Sequence, residues 1–123
     1  IRLLLNYLDT ENFFLTLIFV GQPELVEKIQ KNPSLFQRIA VKNSLGPLPP
    51  HEIGSYIEHR LKTVNAAPGL FRPEAIAMIS EFSGGIPRKI NHICDMCLFI
   101  GYNRNEREIM EAIAYEASLE LSI

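Results

Sequence analysis

The sequence predicts a mainly α-helical fold: two short strands, part of an α/β core, and then a four-helix bundle. Three observations carry that expectation. Four segments after residue 50 repeat their apolar residues at helical spacing. Two runs before residue 46 are short and apolar in the manner of strands buried in a sheet. Between the two regions Gly46, Pro47, Pro49 and Pro50 interrupt both patterns. That step sets the expected boundary, with residues 1–46 as an incomplete α/β part and residues 47–123 as the helical part.

The elements are expected in the following order. Residues 1–8, "IRLLLNYL", read as the end of a helix, and residues 9–12 as a polar turn. Residues 13–20, "FFLTLIFV", are apolar on both alternations, which suits a strand covered on both faces. "GQPELVEKIQKN" turns the chain into a short helix, with Gln22 at the cap position and Pro23 at the first helical position. Leu25, Val26 and Ile29 give this helix an apolar face, while Glu24 with Lys28 and Glu27 with Lys31 are spaced as i,i+4 ion pairs. A further short element ends near Phe36 to Arg38, and residues 39–45, "IAVKNSL", alternate as a second strand.

Beyond the prolines, Ile53, Tyr56, Ile57, Leu61 and Val64 share one helical face. A second helix starts at Pro73 and turns Ile76, Ile79 and Phe82 inward. A third starts at Pro87, with a stripe of Ile90, Ile93, Cys94, Cys97, Leu98 and Gly101. A fourth, over residues 106–121, carries Ile109, Ile113 and Ala117. Four helices with short connections can bury a core of their own.

Bulk properties narrow the function classes. A chain of 123 residues, 47% of them hydrophobic, makes one domain or a piece of a larger one. Because it begins at Ile1 in mid-pattern, it reads as a fragment. The net charge of −2 disfavours a protein built to neutralise nucleic-acid phosphate. "FFLTLIFV" is internal and lacks the flanks of a secretory signal. Its eight residues also fall well short of the roughly 20 that span a bilayer.

The chemistry concentrates in "FSGGIPRKINHI". Gly84 or Gly85 can take the left-handed conformation that closes a helix, and Pro87 can open the next. Arg88 and Lys89 then fall in the first turn, where the helix dipole is already positive and cations are disfavoured by a few tenths of a kcal/mol, about 0.3 or more. Either they are solvated surface charges, or the free N–H groups, the dipole and Arg88 converge on an anion such as phosphate. Gln22, just past the first strand, is either a turn residue or a ligand contact at the carboxyl end of a sheet. Arg38 is either an exposed charge or a phosphate contact on this molecule or a neighbour. Cys94 and Cys97 lack a second ligand pair and lie on an apolar helix face, as core cysteines of a reducing compartment do. His51, His59 and His92 have no mutual ligand spacing, so no metal site is expected.

Taken in order, "IFVGQPEL", "LFQRIAVKNSLGPL", "YIEHRL" and "FSGGIPRKINHICD" resemble the C-terminal half of an AAA+ ATPase module. The resemblance is to the general secretion pathway protein A group, with relatives in exopolysaccharide export and transposition, and it covers almost the whole chain. It implies that residues 1–46 are the end of a P-loop NTPase core and residues 47–123 its helical lid. It further implies that Gln22 stands at the sensor-1 position, orienting the attacking water. Arg38 matches an arginine finger directed at the neighbouring subunit's nucleotide, and Arg88 matches sensor 2. The catalytic candidates are therefore Gln22 and Arg38, and the nucleotide-binding candidate is Arg88.

The match has gaps. The phosphate loop G-x-x-x-x-G-K-[ST] is absent, and no Gly-Lys pair occurs. The Walker B pattern is absent too: Asp9 and Glu11 in "LLNYLDTE" are not adjacent, and the resemblance places this stretch after that motif. ATP and Mg²⁺ are thus expected in a parent protein, with none held by this segment alone, which should be inactive. The resemblance also implies self-association through the AAA+ interface and a cytoplasmic location, and it is compatible with an inner-membrane secretion or export partner. The alternatives are a non-catalytic helical adaptor or, less well supported, a DNA-binding helical domain.

Overall fold

The computed structural model describes residues 16–120. The expected helix end at residues 1–8, the turn at 9–12 with Asp9 and Glu11, and residues 13–15 of the first expected strand lie outside them. Contacts divide the chain into two compact units, Ile1–Ser44 and Leu45–Ile123. All regular structure among the described residues is helical: α1 (Glu24–Gln30), α2 (Pro33–Phe36), α3 (Pro50–Thr63), α4 (Pro73–Ser83), α5 (Pro87–Asn103) and α6 (Glu111–Glu120).

Neither expected strand is formed there. Residues 16–20 and 39–45 follow no regular structure, and Ile18, Val20, Val41 and Leu45 are each more than four-fifths exposed. The first run has the composition of a buried strand and the second alternates as a strand can, but a strand is defined by its neighbour. Among the described residues no second strand lies beside either run to form a ladder, and the bonds that are made are local: the Ile39 N–H donates to the Phe36 carbonyl and the Ser44 N–H to Asn43 Oδ1.

In the first unit Pro23 sits one position outside α1, at its cap, and Gln22 supplies a carbonyl that accepts from the Leu25 N–H at 2.9 Å. The expectation that Gln22 caps the helix is therefore corrected by one residue. Asn32 turns the chain into α2, its carbonyl accepting from the N–H groups of Leu35 and Phe36. The Lys42 ammonium lies 3.4 Å above the Phe36 ring. No residue of α1 or α2 is buried.

The second unit has a core. Ile53, Ile57 and Leu61 of α3, Ala75 and Ile79 of α4, Ile90, Ile93, Cys97 and Ile100 of α5, and Ile113, Ala114 and Ala117 of α6 form one buried cluster with Phe71 and Ile109. Helix α4 packs against α3, α5 and α6, and α5 also packs on α6. Three of the four helices open on proline, which has no N–H to leave unsatisfied in the first turn. Two close on an asparagine with positive φ. After α3, Asn65 (φ 55°) donates to the Lys62 carbonyl while Ala66 donates to that of Leu61. After α5, Asn105 (φ 55°) and Glu106 do the same toward Tyr102 and Gly101. This paired bonding satisfies the last carbonyls of each helix.

The fourth helix is shorter than expected, beginning at Glu111. Ile109 instead pairs as an isolated parallel bridge with Phe71. Its N–H donates to Leu70 at 2.8 Å, and its carbonyl accepts from Arg72 at 3.0 Å. The bridge fixes the start of α4 against the start of α6. Apolar periodicity cannot distinguish a residue buried by this pairing from one buried by a helix.

Candidate functional site

The corner between α4 and α5 is built from Ser83 to Pro87. Gly84 closes α4 at φ 57°, its N–H donating to Ser80 at 3.2 Å. Gly85 follows, also left-handed at φ 74°. Ser83 is buried, and its hydroxyl oxygen accepts from the Gly85 N–H at 3.2 Å, holding the turn from inside. The Ile86 N–H donates to the Ser83 carbonyl, and Pro87 opens α5.

A second strand of backbone lies against this corner. Leu48, in the proline-rich segment before α3, donates its N–H to the Gly85 carbonyl at 2.8 Å. A Cβ on Gly85 would collide with the Leu48 carbonyl oxygen, whereas one on Gly84 would meet nothing within 4 Å. The two glycines are therefore needed for different reasons. Gly84 is set by φ alone, and Gly85 by φ together with a close backbone approach. Sequence reasoning took the pair as one turn signal and missed the contact, because nothing local to residues 84–85 encodes what approaches them.

The first turn of α5 holds Arg88 and Lys89, both exposed, and no acidic residue. No side chain caps this N-terminus. The first N–H returned to the helix ladder is that of Ile90, bonded to the Ile86 carbonyl at 3.0 Å. Dipole, backbone donors and two cations thus share one end of the helix, an arrangement suited to an anion. Behind it, the Tyr56 hydroxyl of α3 donates to Asn91 Oδ1 at 2.9 Å, tying the second turn of α5 to α3.

Gln22 and Arg38 belong to the first unit, and Arg88 to the second. Gln22 is exposed ahead of α1. Arg38 is exposed just after α2, its backbone N–H bonded to the Leu35 carbonyl at 3.1 Å.

The remaining candidates divide by burial. Cys97 is fully buried and Cys94 half-buried, and both are free thiols. Burial pushes both thiols up to about 12, with the neighbouring Cys97 and Asp95 adding to the effect at Cys94. Thiols so raised are not nucleophiles at neutral pH. His51, His59 and His92 are exposed, and the described residues contain no cluster of His, Cys, Asp or Glu able to hold a metal. An open, largely apolar groove runs between the start of α3 and α4, lined by Pro50, His51, Pro73, Ile76, Ala77, Ser80 and Glu81. Among the described residues no helix is long and apolar enough to cross a membrane.

Over 124 aligned residues the chain is 33% identical to General secretion pathway protein A of Aeromonas hydrophila. The alignment takes in 99% of this chain and 23% of that protein, so the chain spans under a quarter of the length of the relative it matches. No protein-family model matches the chain. No solved structure matches it. The chain is thus similar to one segment of a general secretion pathway protein, from its first residues through the helical unit.

Proposed function

We propose that this chain is the sensor-and-lid segment of an AAA+ ATPase of the general secretion pathway type. Its work would be ATP hydrolysis that drives assembly or remodelling at the cytoplasmic face of the inner membrane. The observation that carries this reading is the α4–α5 corner: two left-handed glycines, Pro87 and an exposed Arg88 beside uncapped helix N–H groups. The similarity to General secretion pathway protein A over nearly the full chain supports it.

In this reading residues 47–123 are the lid, and residues 1–46 the last part of the nucleotide-binding core. ATP and Mg²⁺ are held by a phosphate loop elsewhere in the parent protein, since no such loop is present in these residues. Phosphoryl transfer leaves little covalent chemistry to a protein, and catalysis is positioning plus stabilisation of charge on the transferred group. Arg88 supplies positive charge to the phosphates from the lid. Arg38 supplies it in trans, to the nucleotide of a neighbouring subunit. Gln22 orients the attacking water. A residue acting in trans requires self-association, and an inner-membrane secretion component is the natural further partner.

The test is steady-state ATP hydrolysis by the parent protein across protein concentrations, beside Arg38→Ala and Arg88→Ala. The rate per subunit should rise with concentration and fall by about 10³-fold or more in Arg38→Ala. A well-folded parent that neither binds nor hydrolyses ATP would make the segment a non-catalytic helical adaptor.

A further inference from the structure

We infer that the main-chain clip between Leu48 and Gly85 is a positioning device for Arg88, through which bound nucleotide and the seating of the proline-rich segment stabilise each other. The inference rests on the reading of Arg88 as a phosphate contact, and adds to it a route by which occupancy is felt at residues 46–50.

The sequence of that segment is the first argument. In Pro47-Leu48-Pro49-Pro50 the three prolines have no N–H, so Leu48 holds the single backbone donor of the four. That donor is given to Gly85, at 2.8 Å. A segment stiffened by proline on both sides of the one hydrogen bond it donates moves as a piece, because each ring fixes its own φ and restricts the residue before it.

The corner is the second argument. Gly85 is three residues before Arg88, and little between them can flex. Its N–H is held by the buried Ser83 hydroxyl, Ile86 is bonded back to Ser83, and Pro87 has a fixed φ. A displacement of Leu48 is therefore delivered to the first turn of α5 rather than absorbed. Gly85 also lacks room for a Cβ because the Leu48 carbonyl occupies it, so the contact is close on both sides of the peptide.

If the clip and the phosphate contact are coupled, the coupling must act in both directions. Nucleotide that draws on Arg88 must tighten the clip, and loosening the clip must weaken nucleotide. The test uses the parent protein with Mg²⁺ and a non-hydrolysable ATP analogue. Amide hydrogen exchange at Leu48 should slow by about tenfold on saturation, within the usual range of coupling between sites. In Arg88→Ala, compared at equal occupancy, the slowing should be absent. As a second readout, Gly85→Ala should bind the analogue about tenfold more weakly than Gly84→Ala, which also places a Cβ at positive φ but without the collision.

Analogue binding that depends on Arg88, with Leu48 exchange unchanged, overturns the clip and leaves the functional reading intact. Absent binding, or binding indifferent to Arg88→Ala, removes the functional reading and the clip with it. Should Gly85→Ala fail to fold, exchange at Leu48 in the unaltered protein decides the matter alone.

Discussion

The Leu48 N–H meets the Gly85 carbonyl at 2.8 Å, and the Leu48 carbonyl fills the space where a Cβ on Gly85 would stand. Gly84, its neighbour, also has a positive φ but faces open space. The two positions therefore separate backbone strain from steric exclusion. Gly84→Ala should destabilise by about 1–2 kcal/mol, the cost of a left-handed L-residue. Gly85→Ala should exceed it by about another 1–3 kcal/mol, because main chain has to move. Urea denaturation of both variants checks this, and equal losses would show that the Leu48 approach relaxes without effort.

Asn65 and Asn105 end α3 and α5 in the left-handed region. Asparagine tolerates that conformation better than other residues with a Cβ, and glycine better still. Asn65→Ala and Asn105→Ala should each cost about 1 kcal/mol, while Asn→Gly at either position should be neutral or mildly stabilising. Thermal unfolding would expose an error if alanine and glycine behaved alike.

Burial raises both cysteine thiols to about 12. The unfolded chain, with thiols near about 8.5, releases its protons first as pH rises. The native state then binds more protons than the unfolded state, so stability declines with pH over that interval. The contribution is fully present below about pH 8.5 and is lost progressively toward pH 12. Denaturation across this window should show a shallower decline in Cys94→Ala/Cys97→Ala than in the unaltered protein. Alkylation at pH 8 should likewise be slow until the protein unfolds.

Tyr56 and Asn91 hold α3 to α5 through one side-chain hydrogen bond of 2.9 Å. Tyr56→Phe keeps the ring and removes the donor, so the loss should be about 0.5–1.5 kcal/mol. In contrast Arg88 is exposed, and Arg88→Ala should leave stability within about 0.5 kcal/mol. A large loss of nucleotide affinity beside that small change in stability would mark Arg88 as a binding residue; a large stability loss would give it a structural role instead.

Much of the helical unit was legible in advance. Pro73 and Pro87 open helices where their missing N–H predicts, and Gly84 closes one. Ile53, Ile57, Ile79, Ile90 and Ile113 are buried as their spacing requires. Periodicity reports only the average direction of a face, so it overstated the margins: Val64 is 71% exposed and Leu98 lies at the solvent edge, while Ala75 and Ile100 are buried without having been singled out.

What the sequence determined by itself is local. Proline and glycine fix φ or free it whatever surrounds them, and apolar spacing decides which side of a helix must be covered. That was enough for four helices, their corners and the place of Arg88 in a first turn. What only tertiary structure decided is pairing. Ile109 leaves its helix to bridge Phe71, Leu48 claims the space at Gly85, and residues 16–20 and 39–45 stay out of any ladder. Each outcome depends on a backbone group supplied from a distant position, or not supplied, and hydrogen-bond partners remote in the chain leave no mark on the residues that wait for them.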